Sequence, residues 1–176
     1  KEIIEQCKEG SEKAQFQLYK LYYKGMYSVC LRLINNETEA EDILQESFLK
    51  AFRKIDTYKG DVSFGDWLKK IVVNSSLDYL KKRKVKFDQI NERITETPDD
   101  SQDGKNTVDI DVIKKAIRLL PDGYRTVLSL YLIEGYDHEE ISEILGITNT
   151  ASRTQFSRAK IRLRELLKGK EILSYN

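Results

Sequence analysis

Proline and glycine are scarce in this 176-residue chain, at two and nine, and cysteine stops at two. So few breakers suit long helices better than a many-turned β fold. Cys7 and Cys30 are too few for a disulfide framework and too poorly spaced for a zinc site, so they read as reduced core thiols. Histidine occurs once, as His138, beside a helix start, where it reads as an exposed first-turn residue. The acids Glu37, Glu39, Glu41, Asp42 and Glu46 have no histidine or acid elsewhere to complete a metal site with them. No catalytic constellation is apparent, and no glycine loop resembles a phosphate cradle. No run approaches the ~20 apolar residues of a membrane span. The opening residues do not read as a signal peptide, although the chain starts on Lys1. The expectation is a soluble, cytoplasmic, non-enzymatic protein with no cofactor, no metal and no direct membrane insertion.

An excess of one charge is missing as well: 30 basic residues face 29 acidic ones. That balance looks unlike a nucleic-acid binder until it is resolved by position. Trp67 to Lys86 carries seven bases and one acid, Asp78. Asp88 to Asp111 carries eight acids against Arg93 and Lys105. Ala151 to Lys170 carries seven bases against Glu165. Two basic blocks around an acidic spacer cancel in the total but not in space.

What is present is helical periodicity. Ser11 to Ile34 is rich in Leu, Tyr and Phe and ends at Asn35-Asn36. Thr38 and Glu41 have capping-box spacing, followed by a stripe of Ala40, Ile43, Leu44, Phe48, Ala51, Phe52 and Ile55. Lys59-Gly60-Asp61 reads as a turn, and Ser63 as the cap of a third helix with Phe64, Trp67, Leu68, Ile71, Val72, Ser75 and either Tyr79 or Leu80 inward. These helices can close one small core. Asn91 to Asp111 is polar and acidic, with Pro98 and Gly104 as breakers, and reads as a flexible linker. Helical pattern resumes near Val112, and Pro121 opens the next helix. The fold class expected is all-α: two small helical domains, residues 1–86 and 111–170, joined by an acidic linker at 87–110.

The last third reads as a helix-turn-helix. Asp137 and Glu140 form a capping box, Gly146 stops the short helix, and Thr148 or Asn149 caps a second, basic helix. A basic helix behind a tight glycine turn is the geometry that enters a DNA major groove. Its apolar stripe, Phe156, Ala159, Leu163, Leu166 and Leu167, leaves Ser152, Arg153, Thr154, Gln155 and Arg158 to reach base edges.

Three segments in order carry a resemblance: AEDILQESFLKAFRKIDTYKG from Ala40, FGDWLKKIVVNSSLDYLKKRK from Phe64, and LPDGYRTVLSLYLIEGYDHEEISEILGIT from Leu120. Together they resemble the extracytoplasmic-function group of bacterial sigma factors, which pair a promoter-melting domain (region two) with a helix-turn-helix domain (region four). The resemblance implies a subunit that binds core RNA polymerase, directs it to promoters and promotes melting. It implies that Asp42, Gln45, Glu46 and Leu49 dock on the clamp coiled coil, with the polymerase flap as a second contact. Phe64, Trp67, Lys69, Lys70, Asn74, Asp78, Lys81 and Arg83 fall to the single-stranded minus-ten element, with Asn74 at the position that captures a flipped-out base. Ser152, Arg153, Thr154, Gln155 and Arg158 fall to the minus-thirty-five duplex. An anti-sigma factor is the further partner implied. The chain departs from the commonest pattern at Thr150-Ala151-Ser152, where many members place a β-branched residue after a Gly-Thr pair. The alternative reading is a stand-alone helix-turn-helix regulator, which has no need of the Phe64 to Lys84 segment.

Overall fold

The structure, a computed structural model, describes residues 2–83 and 110–173, with the side chains of the last helix as far as Lys168. The chain divides into two compact units, residues 1–85 and 86–176. Among the described residues there are helices and turns and no strand. The linker expected at 87–110 lies outside them except for Ile110, which already begins a helix. The end of the expected basic block, residues 84–86, also lies outside.

The first unit is built on three helices, α2 (Glu12–Ile34), α3 (Glu37–Arg53) and α4 (Phe64–Lys82), with a short α1 (Glu2–Lys8) that sequence periodicity did not reveal. Each long helix starts where a side chain can satisfy the orphan amides of a first turn. Ser11 accepts from the Ala14 amide, Asn36 from Glu39, and Ser63 from Asp66. The expected Thr38–Glu41 box is therefore corrected: Asn36 nucleates α3 two residues earlier, which puts Thr38 inside the first turn. Asn35 ends α2 in the left-handed conformation, φ 58°, a place asparagine tolerates better than most residues.

Leu33, Leu44, Leu68, Val72 and Leu80 are fully buried where α2, α3 and α4 meet. Truncating one of these leucines to alanine costs ~2–5 kcal/mol, the lost transfer energy plus the cavity. The α3 stripe is buried as expected except for a half-exposed Phe52, and Ser47 joins it. The α4 face is wider than expected: Val73, Ser76 and Leu77 are buried too, because α4 is packed by both α2 and α3.

The second unit comprises α5 (Ile110–Arg118), α6 (Asp122–Leu132), α7 (His138–Leu145) and α8 (Asn149–Leu173). Ile117, Leu120, Tyr124, Leu128 and Ala159 form its core, with Ile113, Leu163 and Leu166 packed against them. Pro121 precedes α6 as its cap position. Arg125, 1% exposed, donates to the Leu120 carbonyl at 2.9 Å and pairs with Asp122, which engages both terminal nitrogens of its guanidinium inside the fold. The Asp137–Glu140 capping box is made reciprocally, and Gly146 ends α7 at φ 68°. Thr148 Oγ1 accepts from the Ala151 amide at 3.0 Å, so α8 begins at Asn149.

Candidate nucleic-acid interface

Burial of one α3 face leaves a second face to solvent. Asp42, Gln45, Glu46 and Leu49 recur at three- and four-residue spacing, and all four are exposed. Leu49 is 55% exposed. Beside it, α2 and α3 enclose a groove of about 390 Å³ lined by Phe16, Tyr19, Gln45, Phe48, Leu49 and Phe52. The stripe is thus an apolar groove with an acidic margin.

On α4 the predicted residues separate into two groups. Phe64 is 5% exposed and sits among Tyr22, Tyr58 and Trp67, with ring centroids 5.4–5.5 Å away. It is a core residue, which corrects its expected place on a DNA-facing surface: α2 and the turn before α4 cover its faces. Trp67 is half-buried, and Lys69, also half-buried, lies 4.0 Å from Asp66. Lys70, Asn74, Asp78 and Lys81 form one exposed row along the helix. No hydrogen bond to a described residue engages the Asn74 side chain. Arg83 is committed to Glu39 at 3.1 Å, tying the end of α4 to the start of α3. A cleft of about 320 Å³ between α3 and α4 is lined by Glu46 and Lys50 on one side and Ser75, Asp78, Lys81 and Lys82 on the other. Lys50 bridges it, 3.0 Å from Glu46 and 3.3 Å from Ser75 Oγ. The stripe on α3 and the row on α4 therefore share one cleft.

The basic helix α8 is divided as well. Arg153 and Thr154 are exposed and Arg158 is partly so. Arg153 donates to Asn149 at 2.8 Å, and Asn149 donates to Glu139 at 2.9 Å, a chain of contacts across the turn. Ser152 and Gln155 are turned inward, 0% and 6% exposed, which corrects the expectation that they project toward DNA. Their direction was available from spacing: seven and four residues before Ala159, they continue its stripe toward the N-terminus, and their polarity hid this. His138 is likewise buried, at 8%, and not an exposed first-turn residue. Burial, followed by the nearby Arg153 charge, lowers its pKa below the ordinary value, against a smaller opposing effect from Asp137.

These two units coincide with two family matches. The sigma-70 region 2 model matches residues 18–85, and a sigma-70 region 4 model matches residues 110–163. The ECF RNA polymerase sigma factor SigW of Bacillus subtilis is 31% identical over 186 residues, covering 96% of each chain. This chain belongs to the ECF sigma factors. The ECF sigma-E factor of Haemophilus influenzae is 28% identical over 90% of this chain and 89% of its own length. Among solved structures, the sigma factor RpoE bound to the anti-sigma factor NepR, from Bartonella quintana, aligns with a TM-score of 0.56 at 25% identity, covering 86% of this chain and 95% of RpoE. CnrH in complex with the cytosolic domain of CnrY aligns at 0.52 and 21% identity over 95% of this chain and 96% of its own, a likeness of fold.

The sigma factor reading accounts for the first unit, for which a stand-alone helix-turn-helix regulator has no use; nothing in the comparisons supports that alternative. Among the described residues, no helix is long and apolar enough to cross a membrane, and no cluster of His, Cys, Asp and Glu could hold a metal ion.

Proposed function

We propose that this sigma factor docks on core RNA polymerase through Asp42, Gln45, Glu46 and Leu49 and opens promoter DNA with the neighbouring row on α4. The observation that carries this reading is the shared cleft: Glu46 of the docking stripe and Asp78 and Lys81 of the DNA row line one wall-to-wall groove. Binding to polymerase then places the α4 row beside the emerging single strand. The apolar groove beside Leu49 takes a side chain of the clamp coiled coil, and the carboxylates meet its basic groups.

On α4, Lys70 and Lys81 hold phosphates without reading sequence. Asn74, with no hydrogen bond to a described residue, can hydrogen-bond the edge of an extruded base. Trp67 offers a partly exposed ring for stacking. Unstacking costs a few kcal/mol, an amount that such contacts can offset, so melting proceeds by trapping the open state without hydrolysis of a nucleotide. The second unit presents Arg153, Thr154 and Arg158 to the minus-thirty-five duplex, and docks on the polymerase flap. The factor has no catalytic activity of its own and works in the cytoplasm, where an anti-sigma factor holds it inactive. The RpoE complex with NepR supports that last partner.

Run-off transcription with purified core polymerase on a randomised promoter library tests the reading. Transcripts that appear only with this chain, downstream of a common two-part motif, support it. Neither transcripts nor co-elution with core would sink it.

A further inference from the structure

The His138 ring contacts two other helices of its unit. It stacks on Tyr131 of α6, with centroids 4.4 Å apart and planes at 20°. It meets Phe156 of α8 edge-on at 5.6 Å, and Tyr131 and Phe156 touch each other at 4.5 Å. Its Nδ1 lies 2.9 Å from Oγ of Ser152, which is fully buried and immediately precedes Arg153. The two kinds of contact constrain α8 differently. Ring contacts persist through a range of separations and tilts, whereas a hydrogen bond weakens steeply with angle and distance. Rolling α8 about its axis is therefore tolerated by the rings and opposed by the bond. Once broken, that bond leaves a buried hydroxyl and a buried ring nitrogen without partners. An apolar residue at 152 would leave Nδ1 in the same state.

We propose that His138 and Ser152 are a positioning pair that sets the roll of the recognition helix, and with it the register in which Arg153 and Thr154 meet duplex DNA. This rests on the reading of Arg153 and Thr154 as base-contacting residues. The pair acts at neutral pH with an uncharged ring. Three groups face that ring: Arg153 from α8, the Tyr131 hydroxyphenyl group from α6, and Asp137 one residue before it. Protonation leaves Nδ1 able to donate to Ser152 Oγ, but it puts a charge on a buried ring near the exposed Arg153 guanidinium, so acid conditions strain the pair.

The test uses holoenzyme assembled from core polymerase and the full chain, on promoters that differ only in the upstream element. The readout is selectivity, the ratio of transcription from the preferred element to that from a scrambled one. A ratio cancels the pH dependence of the polymerase itself. Ser152→Val and His138→Phe are each expected to lower selectivity about tenfold, equivalent to ~1.4 kcal/mol. The double variant, which leaves no orphaned polar group, is expected to regain most of that loss. Wild-type selectivity is expected to hold at neutral pH and to fall as the pH drops below the ordinary imidazole value of 6.5, and that of His138→Phe to stay level. Single variants as selective as wild type, beside an Arg153→Ala variant that is not, would overturn the positioning pair and leave the base-reading assignment standing. Full selectivity in Arg153→Ala would overturn that assignment and the pair together. Selectivity that falls only in proportion to thermal stability, with no recovery in the double variant, would show a merely structural role and also overturn it.

Discussion

Ser76 of α4 lies with its Oγ 3.8 Å from the Cys30 sulfur of α2, while donating to the Val72 carbonyl at 2.9 Å. Both residues are 0% exposed, so the contact lies within the core of the region 2 unit. Burial pushes the Cys30 thiol up to about 11, with the Ser76 contact pulling the other way. At neutral pH the reactive thiolate is thus a vanishing fraction, and the sulfur is a packing group.

This has a pH consequence with a definite sign. The folded chain holds the Cys30 proton more tightly than the unfolded chain, whose thiol takes the ordinary value of 9.0. The associated stability is full below pH 9 and is lost as the pH rises toward 11, on the order of 2 kcal/mol. Urea midpoints measured at pH 8 and pH 11 should fall further apart for wild type than for Cys30→Ala. Equal differences in the two proteins would remove this thiol as the cause.

Phe64 and Lys70 lie six residues apart on the same helix and should fail in opposite ways. Phe64 is enclosed by Tyr22, Tyr58 and Trp67, so Phe64→Ala should cost ~3–5 kcal/mol of stability through the cavity it leaves. Lys70 is exposed, so Lys70→Ala should change stability by under about 0.5 kcal/mol. Its effect should appear instead as weaker, less salt-sensitive binding of single-stranded promoter DNA. Chemical denaturation and a salt titration of DNA binding separate the two.

At the docking stripe, Glu46→Lys reverses a charge beside Lys50, its partner at 3.0 Å, and Leu49→Ala empties one edge of the apolar groove. Each should weaken association with core polymerase at least tenfold, about 1.4 kcal/mol, with little change in the unfolding midpoint. A fluorescence titration of labelled protein with core would show it. Undiminished affinity in both variants would move the docking surface elsewhere.

Asn74→Ala isolates melting from docking. The side chain is exposed and hydrogen-bonds no described residue, so polymerase binding should be retained while open-complex formation drops by roughly tenfold or more, the value of one good base-edge contact. Permanganate reactivity of thymines in the melted region reads this directly. Equal loss of both functions would contradict the assignment.

Much of the local structure was legible because its causes are local. Ser63, the Asp137–Glu140 box and Gly146 begin or end helices through hydrogen bonds and backbone angles that involve only a few neighbouring residues. The α3 stripe was legible for the same reason: a period of three and four residues reports one buried face. The exposed quartet Asp42, Gln45, Glu46 and Leu49 is the complement of that stripe.

The misread residues share a cause of another kind. Ser152, Gln155 and His138 are polar, and polarity alone points to exposure. Their burial depends on partners distant in sequence: Ser152 is fourteen positions from the histidine it bonds, and Phe64 is enclosed by rings from α2 and from the turn ahead of α4. Thr38 was displaced by a competitor next door, Asn36, which local reasoning could have weighed.

The amino-acid sequence by itself determined the helices, their caps and the two-unit order that places this chain among the ECF sigma factors, since each follows from short-range hydrogen bonding and the periodicity of apolar side chains. Only the tertiary structure decided which side of α4 and α8 remains exposed. That choice depends on how many neighbours a helix packs against, and α4 is covered by two helices and α8 by three, a fact that no single helix records.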